Sequence, residues 1–268
     1  MNGLEMMGYA AAVLMGGTLG LMGGGGSILT VPILVYLFHI SPVLATAYSL
    51  FIVGVTSLVG MTGYIKQGLV NYKIGLTFAI PSFIGVFVSR KFIVPAIPEQ
   101  IFTLGSYTLT KDTAILLFFS ILMLIAAYTM IKEKKEDKST KEISEDLKAL
   151  FIILEGLVVG IITGIVGAGG GFLVIPALVL LTKLPMKEAV ATSIMVIAIK
   201  SLIGFLGDVG GSLDLNWNFL LSFSVFTIFG IIAGTYSSRF VPEKKLKPVF
   251  GWFVMLMGGF IIVKEVLV

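Results

Sequence analysis

The chain has 268 residues, 57% hydrophobic and only 13% charged, with mean hydropathy +1.04 and formal net charge +4 at pH 7. A soluble domain carries about 25% charged residues, so this composition excludes an ordinary soluble enzyme, and the positive charge reads as basic residues beside lipid headgroups rather than a nucleic-acid surface. With no cysteine and a single histidine, His39, disulfides, iron–sulfur clusters and thiolate metal sites are ruled out; neither a metal centre nor a cofactor is expected.

Eight apolar segments follow in chain order, at 8–38, 43–64, 73–89, 112–131, 149–182, 186–206, 217–236 and 248–267. Most approach the ~20 residues that a helix needs to cross the hydrocarbon layer, which predicts an all-α polytopic protein of the plasma membrane. The opening "MNGLEMMGYAAAV" has no basic region and carries Glu5, so it does not read as a cleavable signal peptide. The first and fifth segments are too long for one crossing, and each has a glycine cluster near its middle, "GGGGS" (23–27) and "GAGGG" (167–171). His39 follows the first segment and reads as interfacial rather than as a proton relay. The third segment is short and contains Pro81. Next comes "KEKKEDKSTKEISEDLK" (132–148), with six lysines and six acids, a solvated linker without net charge. "GDVGGSLDLNWN" (207–218) reads as a loop with solvated aspartates, and Trp217 and Trp252 suit interface anchors.

The two long segments resemble each other. "GLMGGGGSILTVPILV" from Gly20 aligns with "GIVGAGGGFLVIPALV" from Gly164, an offset of 144. The offset continues from "ATAYSL" (45–50) to "AVATSI" (189–194). After a one-residue shift "VNYK" (70–73) meets "LNWN" (215–218), and Gly85 meets Gly230. The chain is therefore expected to be a first repeat (1–131), a linker (132–148) and a second repeat (149–268), a construction common in secondary transporters, with substrate between the halves.

Basic residues test the topology, because Lys and Arg concentrate on the cytoplasmic side. If all eight segments cross, the two faces carry nine basic residues each, leaving aside Lys200 within a segment. If segments 1 and 5 instead enter and return on one face, the count becomes fourteen against four. The biased arrangement predicts two inverted four-segment repeats with re-entrant first segments, a cytoplasmic linker and both termini outside.

Broken helix at membrane depth must be buried or line a polar cavity. Glycine permits positive φ and close approach to the backbone, and the start of the helix after each break offers unpaired N–H groups and partial positive charge. Gly24, Gly25, Gly26 and Ser27 in the first break, and Gly169, Gly170 and Gly171 in the second, are therefore candidate substrate contacts. Tight helix packing is the competing use of such glycines. Segment 6 places Ser193, Val196, Lys200, Gly204 and Gly207 on one face, and the matching face of segment 2 holds Ser49, Ile52, Thr56, Gly60 and Gly63. Lysine inside an apolar helix is costly unless it faces a cavity or a partner, so Lys200 is the leading anion ligand; snorkelling, or pairing with Glu155 or Asp208, is the alternative. Ser49, Thr56, Thr192 and Ser193 add hydroxyls. Glu155 reads in three ways: a coupling carboxylate, a partner of Lys200, or a residue at headgroup level.

With those residues in view, the chain resembles the TauE/SafE family of membrane permeases, described as sulfite exporters. The resemblance rests on "GGGGSILTVP" and "GAGGGFLVIP", on "ATSI" opening segment 6, and on "KQGLVNY" and "GGSLDLNW" before segments 3 and 7. In the first half "ATAYSL" carries Tyr48 where Thr is typical. The resemblance implies transport of small anions, particularly sulfur oxyanions or organosulfonates.

The leading reading is an anion permease working by alternating access between the repeats, with proton or sodium coupling open. An anion channel is the first alternative, and a cation permease using glycine carbonyls is the second. An enzyme is not expected, because the sequence offers no metal-ligand cluster, cysteine nucleophile or Ser–His–Asp set.

Overall fold

The computed structural model describes residues 3–104, 107–131, 145–167, 169–182, 184–209, 213–240 and 243–267. Helices follow the apolar segments: α1 (Gly3–Met22), α2 (Thr30–Phe38), α3 (Pro42–Lys66), α4 (Tyr72–Val88), α5 (Val94–Ala96), α6 (Lys111–Ile131), α7 (Glu145–Val166), α8 (Gly171–Thr182), α9 (Met186–Phe205), α10 (Trp217–Ser237) and α11 (Glu243–Leu267). Among the described residues six stretches are long and apolar enough to cross a membrane: Glu5–Phe38, Pro42–Lys66, Tyr72–Ala96, Lys111–Tyr128, Met186–Phe205 and Trp217–Ser237. The protein is a polytopic helical membrane protein. Its exterior is apolar, with Leu14, Ile80, Ile125, Phe229, Leu256 and Val263 exposed, while Ser27, Ser49, Thr56, Arg90, Ser193 and Lys200 are buried. That is the reverse of a soluble domain and suits a lipid solvent.

Local signals set the boundaries. Asn71 and Asn216 cap α4 and α10, their Oδ1 atoms accepting from Ile74 N at 3.1 Å and Phe219 N at 3.0 Å, which satisfies donors that a helix start leaves free. Pro42 opens α3, where its missing N–H costs little. A π-helical turn at Ser89–Ile93 carries α4 on into α5, beyond the end expected for segment 3. A small antiparallel hairpin, β1 (Gln100–Leu104) with β2 (Tyr107–Thr110), is the one addition to the all-helical expectation among the described residues. The linker expectation falls largely outside the described residues; its last part, from Glu145, begins α7.

Small residues bring the helices together. Gly16, Gly17 and Gly20 of α1 lie against Thr227, Gly230, Ile231 and Gly234 of α10. Likewise Gly156, Gly160 and Gly164 of α7 lie against Phe78, Ser82, Val86 and Ser89 of the α4 arm. Close approach through small-xxx-small faces is the packing mode expected in lipid. In both pairs residue numbers rise together, so the paired helices run in the same direction.

The α3–α9 pair is different. The Phe51 and Phe205 rings are 5.1 Å apart near one end, and Tyr64 packs with Val190, Ala191 and Ile194 near the other. These two helices run in opposite directions. Beside them α3 runs with α10, from Tyr48 at Asn216 to Gly63 at Thr235, so α1 and α3 share a direction.

Between α1 and α3 the chain doubles back. A Cβ on Gly26 would overlap the Leu19 backbone, and one on Gly8 would overlap the Phe38 ring. The 34-residue Glu5–Phe38 stretch is thus a helical hairpin, not one rod of about 50 Å. In α7 and α8 the matching contact is Gly170 against Thr163.

Charges sort to the two ends. Lys66, Lys73, Lys187 and Arg239 lie at the end where Asn71 meets Thr192 and Gly63 meets Thr235. Arg90, Lys91, Lys111 and Lys264 lie at the other, where Arg90 meets Thr46 and Asp208, Asp112 meets Val43, and Lys264 covers Tyr36.

Candidate functional site

The two glycine breaks meet at the centre of the bundle. A Cβ on either Gly24 or Gly171 would overlap the other's Cα, and Ile197 closes the contact from α9. Both breaks open on a left-handed glycine, Gly23 at φ +65° and Gly167 at φ +70°, positions 144 apart. Beyond that point they differ. The first winds into a 3-10 turn, Gly23–Leu29, in which Gly24, Gly25, Gly26 and Ser27 are all buried. Ser27 Oγ donates to Gly24 O at 2.7 Å, and Thr30 Oγ1 donates to Ser27 O at 3.0 Å. The second break keeps Gly169 and Gly170 at positive φ, +62° and +59°, and α8 starts at Gly171.

Lys200 reaches that second break. It is fully buried, with Nζ 3.3 Å from Thr163 Oγ1 and 2.9 Å from where a Cβ on Gly170 would sit. Among the described residues no carboxylate pairs with it. Pairing with Asp208, one alternative from the sequence, is overturned because Asp208 belongs to Arg90. Pairing with Glu155 fails on distance: Glu155 precedes Thr163 by eight residues of α7, about 12 Å of helix rise, and its buried Oε2 has no hydrogen-bond partner. An ammonium taken out of water without a partner loses several kcal/mol of solvation. At this break it sits beside the start of α8, whose dipole is positive as well. Two positive features converge on backbone that leaves no room for side chains.

The other candidates divide. Ser193 Oγ donates to Val190 O at 2.7 Å and lies 2.8 Å from where a Cβ on Gly23 would sit, so it belongs to the first break. Ser49 is buried with its hydroxyl unpartnered. Thr56 is committed to Thr227 through a hydroxyl–hydroxyl bond. Thr192 is a staple between halves, its Oγ1 accepting from Asn71 N at 3.0 Å.

Sequence reasoning missed a second buried cation. Arg90, 1% exposed, donates through Nε to both oxygens of Asp208, at 3.0 and 2.7 Å, and through Nη1 to Thr46 Oγ1 at 3.0 Å and Gly164 O at 3.4 Å. Asp208, expected to be solvated in a loop, is 5% exposed. The available signal was an arginine directly after one apolar run (Arg90 after 73–89) and an aspartate two residues after another (Asp208 after 186–206).

A family model described as Sulfite exporter TauE/SafE matches residues 9–261. The chain belongs to the TauE/SafE family. It is 30% identical over 264 residues to a probable membrane transporter protein, YunE, of Bacillus subtilis (strain 168), covering 91% of this chain and 93% of that one. A probable membrane transporter protein of Xylella fastidiosa (strain Temecula1 / ATCC 700964) is 27% identical, with 93% and 91% covered. The probable membrane transporter protein MJ0441 of Methanocaldococcus jannaschii is 31% identical over 192 residues, with 69% and 65% covered. No solved structure matches the chain. As a TauE/SafE protein with six apolar helices of spanning length among the described residues it is a multi-pass membrane transporter, which is not an enzyme class.

Proposed function

We propose that this TauE/SafE protein is a permease for small oxyanions, sulfur oxyanions and organosulfonates foremost, working by alternating access at the meeting of the two glycine breaks. The observation that carries the reading is Lys200 Nζ, buried at the second break with no carboxylate partner among the described residues. Intramembrane ionisable groups of this kind mark substrate paths, and an anion supplies the counter-charge that the protein omits. The family description points the substrate class toward sulfur; the donor chemistry itself suits any small oxyanion. Contact between Gly24 and Gly171 closes the centre to solute, which favours a gated carrier over an open channel. Against a cation permease stands the ammonium itself.

The two halves are read as inverted copies whose first segments are re-entrant. Support comes from the antiparallel α3–α9 crossing, from the shared direction of α1 and α3, and from the matched hairpin contacts Gly26–Leu19 and Gly170–Thr163. The Lys66, Lys73, Lys187 and Arg239 end is assigned to the cytoplasm by the fourteen-against-four count from the sequence, in which the six linker lysines, Lys183, Lys244, Lys245 and Lys247 add to these four, with the linker on that side and both termini outside. Glu155 is the carboxylate assigned to proton or sodium coupling, on the strength of its unpartnered Oε2.

The test is thermal stabilisation of purified protein by sulfite, sulfate, thiosulfate, methanesulfonate, phosphate, bicarbonate and acetate, at constant sodium, in wild type and Lys200→Ala. A ligand at about 100 times its dissociation constant stabilises by about 2.7 kcal/mol. Selective stabilisation by a sulfur anion, lost in Lys200→Ala, is the expected result. A response unchanged in the variant would remove Lys200 from the site, and conductance far above carrier rates in liposomes would replace the carrier with a channel.

A further inference from the structure

The Arg90–Asp208 contact is more than a salt bridge between halves. Asp208 sets both its oxygens on Nε and leaves Nη2 without any acceptor in a residue 1% exposed. The neighbouring Ser89 Oγ is also buried and unpartnered, and both residues sit in the π-helical turn. Buried guanidinium donors left unmade are expensive, and π-turns gather at functional sites.

The repeat supplies an internal control. At the offsets of 145 and 144, Arg90 and Asp208 correspond to Thr235 and Tyr64. There Tyr64 Oη donates to Gly20 O at 2.6 Å, and Gly20 is the counterpart of Gly164, whose carbonyl Arg90 engages. A neutral hydroxyl therefore suffices to satisfy this carbonyl in the same architecture. Among the described residues the matching place at the other end carries no buried ion pair, so the Arg90–Asp208 pair has no counterpart there.

Its location connects it to the central site. Lys200 bonds Thr163 and Arg90 bonds Gly164, so these two side chains touch consecutive residues at the end of α7. Around the opposite end, near Thr235, lies a surface cleft of about 180 Å³ bounded by Gly60, Gly63 and Arg239.

Resting on the anion-permease reading above, we propose that Arg90 is a second binding residue for the transported oxyanion, at the end of the path away from the Thr235 cleft. Asp208 stands in for the anion while that end is closed. A sulfonate or sulfate has oxygens enough to engage Nε and Nη2 together, which Asp208 in its present position does not. Exchange of the carboxylate for the anion opens the end and hands the anion toward Lys200.

The chain has no cysteine, so Ser89→Cys is a clean reporter for a small membrane-impermeant maleimide. Asp208→Asn is expected to raise labelling of Ser89→Cys about tenfold, equivalent to about 1.4 kcal/mol, and sulfate or methanesulfonate to slow it again. Arg90→Gln should abolish that anion protection. Arg90→Lys, which keeps the charge but loses the fork, should weaken protection several-fold at a near-native melting temperature, and it carries the test if Asp208→Asn does not fold. Faster labelling without anion protection, protection that survives Arg90→Gln, or unchanged labelling in folded Asp208→Asn would each overturn the proposal. If wild type gains no stability from any anion, the permease reading falls with it. If that stabilisation is present and needs Lys200 but ignores Arg90 and Asp208, only the Arg90 proposal falls.

Discussion

Tyr48 and Thr192 occupy matching positions in the two halves and accept the same hydrogen bond: Asn216 N donates to Tyr48 Oη at 2.7 Å, and Asn71 N donates to Thr192 Oγ1 at 3.0 Å. Each donor is the N-cap residue of a helix in the opposite half. The pairing accounts for tyrosine where threonine is typical. What the position requires is a hydroxyl at the right reach, and the two halves reach differently.

Removing either acceptor therefore acts on stability. Tyr48→Phe and Thr192→Val should each lower stability by about 1–2 kcal/mol, the cost of a lost bond that strands a partly buried N–H. Thermal unfolding in detergent measures this. Anion stabilisation, measured alongside, should keep its wild-type size in Thr192→Val; a loss there would return Thr192 to the substrate site.

At the centre, Gly24→Ala and Gly171→Ala should each cost about 1–3 kcal/mol or prevent folding, because the added methyl meets backbone rather than a yielding side chain. Gly259, in α11 with nothing within 4 Å of an added Cβ, is the control. Gly259→Ala should be neutral or stabilising by up to about 1 kcal/mol. Equal effects at the three positions would contradict the contact.

Lys200→Met carries a prediction of opposite signs. Replacing an unpaired buried ammonium by an apolar chain of similar length should leave anion-free stability unchanged or raise it by about 1–4 kcal/mol. Thr163 keeps its own bond to Gly160 O at 3.2 Å. Anion-dependent stabilisation and transport should disappear together. A variant that is simply less stable, with anion response intact, would make Lys200 structural.

Thr56→Val and Thr227→Val should be non-additive. Their hydroxyls bond each other in the buried core, and Thr227 also donates to Ser224 O at 2.9 Å. The double variant should cost less than the two singles summed, by about 0.5–1.5 kcal/mol. Strict additivity would separate the two residues.

Particular residues explain what could be read without the structure. Four consecutive glycines inside an apolar run announced a broken segment because they give up helix propensity four times over at one place, and the 144-residue offset announced the second. Lys200 stood out because charge inside an apolar helix has few innocent uses. Asp208 could not be placed, since its partner lies 118 positions away and an aspartate beside glycines looks like any solvated loop. Thr192's place in the bundle was hidden for the same reason: a hydroxyl shows its chemistry in sequence but not its partner, here a backbone N–H in the other half. The 3-10 winding of the first break was hidden too, because "GGGGS" and "GAGGG" share composition while only the first has Ser27 and Thr30 to tie its carbonyls.

Where Gly24 meets Gly171, two polypeptide backbones touch with no side chain between them. Most packed helices interlock, each residue seated as a knob among its neighbours, and turning one against the other means lifting every knob from its hole. This contact has no knobs to lift. It is a plain bearing at one point of the seam: Gly24 and Gly171 come too close for even a methyl between them, and the one side chain seated against both is Ile197.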